Sequence, residues 1–151
     1  MLFRSHGQNV GIDISEGMLS RAETRLAKQN SEIYSLSIGS AFDLKVGDAS
    51  LDMLVNNYMF DLVPFNQMDK IICEFKRVLK RDGKLILINM TKSESFCGGL
   101  YENVYRLSPR FLGGCRGVQM TDLLTRHGFK VEAREYIQQM FFPSEIILAV
   151  N

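Results

Sequence analysis

Tryptophan is absent from this 151-residue chain, and proline, histidine and cysteine are scarce, with 3, 2 and 3 copies. His6 and His127 have no second plausible metal ligand nearby in sequence, and Cys73, Cys97 and Cys115 stand far apart with no C-x-x-C pair. Neither a metal site nor a disulfide framework is expected, and the cysteines read as reduced thiols. Pro64, Pro109 and Pro143 form no Pro/Gly-rich linker, and no repeat or low-complexity tract divides the chain. One domain over residues 1–151 is expected, of a size that buries roughly two thirds of the surface its unfolded form exposes. Excess charge is lacking too: 18 Lys and Arg face 17 Asp and Glu. No bulk field therefore favours nucleic acid or an anionic membrane. No apolar run nears the roughly 20 residues of a bilayer span, and MLFRSHGQNV carries Arg4 with no apolar stretch of signal-peptide length behind it. The expectation is a soluble, cytoplasmic protein without nucleic-acid or membrane partners.

What the chain does have is alternating strand and helix patterning. In NVGIDIS, Val10, Ile12 and Ile14 alternate with Gly11 and Asp13, a short strand that ends in a carboxylate. Ser15 then caps a helix, SEGMLSRAETRLAKQN, with Met18, Ala22 and Leu26 on one face, Leu19 alongside, Glu16 in the first turn and Lys28 in the last. EIYSLSIG alternates as a half-covered strand does. LDMLVNNYMF begins as a buried apolar strand and turns polar at Asn56 and Asn57, as a strand end facing something wet would. NQMDKIICEFKRVLKRDG reads as a helix capped by Asn66 and stopped by Asp82 and Gly83, with Met68, Ile71, Ile72, Phe75, Val78 and Leu79 in one stripe. KLILINM, with Leu85 to Ile88 continuously apolar, reads as a central parallel strand. Residues 92–117 are irregular, aromatic and glycine-bearing, a length of segment that covers or carries a site. VQMTDLLTRHGF is a short helix ending at Gly128, and two strands that can pair antiparallel flank Phe142 and Pro143. This order predicts an α/β sheet wound mostly parallel.

With those motifs in place, the chain from Val10 onward resembles the class I S-adenosylmethionine-dependent methyltransferases, particularly the small-molecule branch that includes the ubiquinone and menaquinone C-methyltransferases. GIDISEGMLSRAETR is similar to the family's second-strand motif, whose acid binds the ribose hydroxyls; here that acid is Asp13, followed by Ile14. One carboxylate suits a vicinal diol because both hydroxyls can donate to it. FKRVLKRDGKLILIN resembles the family's helix, turn and fifth strand, and DMLVNNYMF its fourth strand. The resemblance implies a Rossmann-like, mostly parallel sheet with a C-terminal antiparallel hairpin. It implies S-adenosylmethionine as cofactor, with Asp13 and Ile14 at the ribose, Ser40 and Ala41 near adenine, and Asn56 beside the sulfonium. It also implies a small-molecule acceptor lined by Asn57, Tyr58 and Arg116. Methyl transfer is then an in-line displacement assisted by proximity and by fields that disperse charge; no general base is identified.

Two departures from the family stand out. An acid followed by G-x-G-x-G, which joins the family's first strand to its first helix, is missing, and MLFRS is too close to Val10 to be that strand, since a parallel crossover takes a dozen or more residues. In GSAFDL, Ser40 replaces the acid that accepts from the adenine amino group; a hydroxyl can still accept one such bond. Because the family's first strand is central, its loss predicts two open inner edges, whose buried orphan groups would cost roughly 1–3 kcal/mol each. The half-sheets would close on each other, a second copy would lend a strand in a homodimer, or the chain is a fragment or follows an alternative start; the last is favoured.

Simpler roles stand beside each assignment. For Asp13 the simpler role is a solvated strand end or a partner of the helix cap, with ribose binding favoured over it, while Asn56 and Asn57 read equally as turn formers. Met18 and Leu19 are expected in the core, His127 as a structural cation at a helix end, His6 in a tail. Arg116, and Lys70, Glu74 and Arg77 on their helix, read as solvated charges. At the level of function, the alternatives to methyl transfer are an inactive methyltransferase-like binding or dimerisation module and, less well matched, a nicotinamide-dependent oxidoreductase.

Overall fold

The structure is a computed structural model that describes residues 7–28, 33–91, 118–139 and 142–151. His6, Cys97, Cys115, Arg116 and the irregular run 92–117 lie outside the described residues. The chain divides into two compact units, Met1–Lys45 and Val46–Asn151.

In the first unit, β1 (Asn9–Asp13) leads into α1 (Glu16–Ala27) and β2 (Tyr34–Ile38). β1 and β2 run parallel, with Asn9 opposite Tyr34 and Asp13 opposite Ile38. The helix starts as its sequence demands: Ser15 is extended, and its hydroxyl accepts from Met18 N. Leu19 is buried, but Met18 is 52% exposed, which corrects its expected place in the core. A two-stranded sheet is too narrow to cover the whole apolar stripe of the helix.

The second unit carries β3 (Leu51–Asn57), a single 3₁₀ turn (Phe60–Leu62), α2 (Phe65–Val78), β4 (Leu79–Met90), α3 (Thr121–Arg126), β5 (Lys130–Gln139) and β6 (Phe142–Val150). Its sheet has the order β3-β4-β6-β5. β3 and β4 are parallel, while β6 runs antiparallel to both β4 and β5. The mostly parallel α/β order and the closing antiparallel hairpin are thus as expected. Met68, Ile71, Ile72, Phe75 and Val78 of α2 are buried, along with Leu85 and Leu87 of β4, Ile147 and Ala149 of β6, and Leu124 of α3. Phe75 meets Phe60 edge to face, 6.0 Å between ring centres.

Three expectations are corrected here. α2 begins at Phe65 behind Pro64, and Asn66 does not cap it; the fixed ring of proline sets the entry instead. The helix also ends at Val78, four residues before the predicted stop. Leu79 turns extended, Asp82 takes a left-handed φ of 61°, and the main chain pairs across to Asn151 through Asp82 N to Asn151 O and Asn151 N to Gly83 O, each 3.0 Å. The Asn151 amide donates to the carbonyls of Lys76, Leu79 and Lys80, so a residue 72 positions beyond Leu79 satisfies the open end of the helix. Third, β3 is not a buried strand: Met53 and Val55 are 48% and 53% exposed. β3 pairs with β4 alone, and β1 with β2 alone, so each has an open edge among the described residues.

Candidate functional site

Each unit brings a set of the predicted residues to the carboxyl ends of its parallel strands. In the first, Asp13 closes β1 and is half-buried. Its Oδ1 accepts from Ser15 N at 2.8 Å, so the carboxylate helps to fix the helix entry, while no described residue partners Oδ2. The simpler role, as a partner of the helix cap, is thus the one this bond carries. Gly39 N donates to Asp13 O at 3.1 Å, which sets Ser40 and Ala41 just beyond the end of β1. A Cβ on Gly39 would lie 2.7 Å from Ile12 Cγ2, so this close approach favours glycine. Ser40 folds into a tight turn: its carbonyl accepts from Asp43 N and its hydroxyl from Phe42 N. The hydroxyl proton is left to donate elsewhere. Ile14 is 78% exposed, a large apolar side chain at the mouth of this strand end.

In the second unit, β3 ends at Asn57, and Tyr58 follows with a left-handed φ of 47°, uncommon for a residue with an aromatic side chain. Tyr58 is held there by its N–H on Ile88 O at 2.7 Å and by its hydroxyl against Ser144 Oγ at 3.2 Å. Asn57 is exposed; Asn56 is partly buried, with Nδ2 on Met59 Sδ and Oδ1 buried without a partner. That orphan acceptor is the kind of group a bound ligand satisfies.

Sequence reasoning missed the polar cluster behind this strand end. Asp61 is 1% exposed in the 3₁₀ turn, and its Oδ1 accepts from Met90 N at 2.9 Å, where β3 has ended and can no longer pair with β4. Burial pushes its carboxyl up to about 6, and the charge of Glu145 adds to the rise. Glu145, also 1% exposed, lies opposite Asn89 in the β4–β6 ladder and accepts from Arg134 Nε at 2.7 Å. Among the described residues, Asp61 Oδ2, both amide atoms of Asn89, Thr91 Oγ1 and Glu145 Oε1 are buried without partners. The one signal in the sequence was an acid set among apolar residues in MFDLVPF. Arg77, read as solvated, in fact bridges Glu74, Asp48 and the carbonyl of Val46, tying the loop before β3 to α2. His127 stands at the end of α3 as expected, and its ring also bonds to Asp69 and Cys73. Among the described residues no group of three His, Cys, Asp or Glu could hold a metal ion.

Residues 1–87 match the family described as "Methyltransferase domain". The chain is 31% identical over 118 residues to the ubiquinone/menaquinone biosynthesis C-methyltransferase of Campylobacter jejuni, covering 78% of this chain and 42% of that one. It is 25% identical over 109 residues to an arsenite methyltransferase of Halobacterium salinarum, covering 72% of this chain and 26% of the other. Its fold matches that of a SAM-dependent methyltransferase from Methanosarcina mazei with a TM-score of 0.75 at 19% identity, over 96% of this chain and 82% of that one. The chain spans 26% of the arsenite methyltransferase's length and 42% of the C-methyltransferase's, less than half of each.

Proposed function

The chain belongs to the class I S-adenosylmethionine-dependent methyltransferases, and from that premise we propose that it takes part in methyl transfer to a small-molecule acceptor. The observation that carries the reading is Asp13 Oδ2, without a partner among the described residues, at the carboxyl end of a parallel strand. A carboxylate with one oxygen fixed to the backbone cannot swing away, so its other oxygen is presented in one direction to a vicinal diol. Ser40 and Ala41, one turn on, offer a hydroxyl donor and a small side chain that leaves room for a flat aromatic base, and Ile14 offers it an apolar surface. When bound, S-adenosylmethionine supplies an electrophilic methyl on a sulfonium.

In the second unit, Asn57 and Tyr58 are the acceptor-side residues of this reading, and Asn56 is the residue beside the sulfonium. The left-handed Tyr58 aims its hydroxyl at Ser144, and the unpartnered Oδ1 of Asn56 is a fixed dipole whose negative end suits a positively charged group. Methyl transfer needs the acceptor held in line with the sulfonium methyl, which amides and a phenol do by hydrogen bonding, without forming a covalent bond. Arg116 of GCRG, outside the described residues, is the cation this reading assigns to an acidic acceptor.

Incubation with methyl-labelled S-adenosylmethionine and a panel of quinols, phenols and thiols is the test. Label is expected in an extractable product, and Asp13→Ala should cut its rate at least about tenfold, the loss of one charge-assisted bond. Label that moves equally fast with Asp13→Ala would overturn the assignment.

A further inference from the structure

Away from both strand ends, the second unit holds three side chains in a linear relay. Asp69 and Cys73 lie four residues apart on one face of α2, and His127 caps the end of α3. His127 Nε2 meets Asp69 Oδ1 at 2.8 Å, and His127 Nδ1 meets Cys73 Sγ at 3.6 Å. Asp69 is held below the usual carboxylate range by its bond to His127, with Arg126 adding to the effect. An ionised Asp69 accepts a hydrogen bond from His127 Nε2–H, which leaves the Nδ1 lone pair facing the thiol. The imidazole is fixed from behind as well: Lys76 Nζ donates to the His127 carbonyl at 2.6 Å, and the His127 N–H bonds back to Leu123 and Leu124. Cys73 itself is exposed. Nucleophile, base and orienting carboxylate thus stand in the order that activates a thiol.

We propose that Cys73 is a reactive thiol set up by His127 and Asp69 for exchange with small disulfides. In the step, the Cys73 thiol proton passes to His127 Nδ1 and the thiolate attacks one sulfur of the disulfide. The disulfide S–S bond breaks, and the departing sulfur leaves as a thiolate that takes the proton back from His127. The product is a mixed disulfide on Cys73 and one free small thiol, so the disulfide is the oxidant and no other co-reactant is needed. The charged groups facing the pair are Asp69 and Lys76 from α2 and Arg126 from α3. His127 is the base in contact with the reacting thiol; Asp69 acts through it as a positioning residue. This goes beyond methyl transfer and needs neither cofactor nor acceptor.

A neutral dipyridyl disulfide tests it on the full chain, with modification of the Cys73 peptide followed by mass spectrometry so that Cys97 and Cys115 do not interfere. Near neutral pH, Cys73 of the folded chain should react at least about tenfold faster than in the urea-unfolded chain. His127→Ala, folded by circular dichroism, should lose that gain, and added imidazole should restore part of it, a rescue that a purely structural histidine would not give. Asp69→Asn, which keeps the side-chain shape, should slow the reaction by about threefold and covers the case in which His127→Ala does not fold. A folded-state rate no faster than the unfolded one, or one indifferent to both substitutions, would overturn the proposal.

Discussion

Asp61 shows how one side chain ties a strand end to the chemistry around it. Its carboxylate replaces a strand at the point where β3 stops and the Met90 N–H of β4 would otherwise be orphaned. The cost is a buried acid raised to about 6 from an ordinary 3.8. A folded state that holds a proton the unfolded state has lost is favoured at low pH, so this group's contribution is fully present below about pH 4 and is lost as pH rises to about 6. Asp61→Asn keeps an oxygen for Met90 N and cannot ionise. It should match the wild type in urea unfolding near pH 4 and exceed it at pH 7.5 by up to about 3 kcal/mol, two pKa units' worth; an equal difference at both pH values would sink the account. Tyr58 offers a smaller test at the same strand end. Tyr58→Phe removes the bond to Ser144 and should cost about 1 kcal/mol in the same assay, with no change contradicting the structural role of that bond.

At the scale of elements, α2 carries the lesson about what sequence can reveal. Its buried stripe of Met68, Ile71, Ile72, Phe75 and Val78 was legible because a 3.6-residue period is a local property. Its end was not, because Leu79 to Gly83 are drawn into β4 by Asn151, and no window along the chain sees that partner. The same division holds at the site: Asp13 and Ser15 announce a strand–cap junction in three residues, whereas Asp61 acquires its meaning only from Met90 and Glu145. Gly83 marks the turn that makes this possible. A Cβ there would lie 2.8 Å from the Lys80 carbonyl oxygen and 3.2 Å from that of Leu51, both backbone atoms with little freedom to retreat. Gly83→Ala should lower the urea midpoint by the equivalent of about 1–3 kcal/mol, and an unchanged midpoint would mean that the turn is looser than drawn.

Across the whole molecule, the order of elements was readable from the sequence, whereas the pairing was not: among the described residues β1 pairs only with β2 and β3 only with β4. Exposed Met53 and Val55 make the β3 edge apolar, a setting that promotes strand-to-strand aggregation. Val55→Lys should delay the onset of turbidity on warming without altering the circular dichroism spectrum; an unchanged onset would show that aggregation starts elsewhere. The central claim, that Asp13 presents its free oxygen to a cofactor ribose, is tested most directly by calorimetric titration of the chain with S-adenosylhomocysteine. The account predicts micromolar binding, about −8 kcal/mol, weakened at least tenfold by Asp13→Ala. No heat from a folded chain, or equal heat from Asp13→Ala, would contradict it.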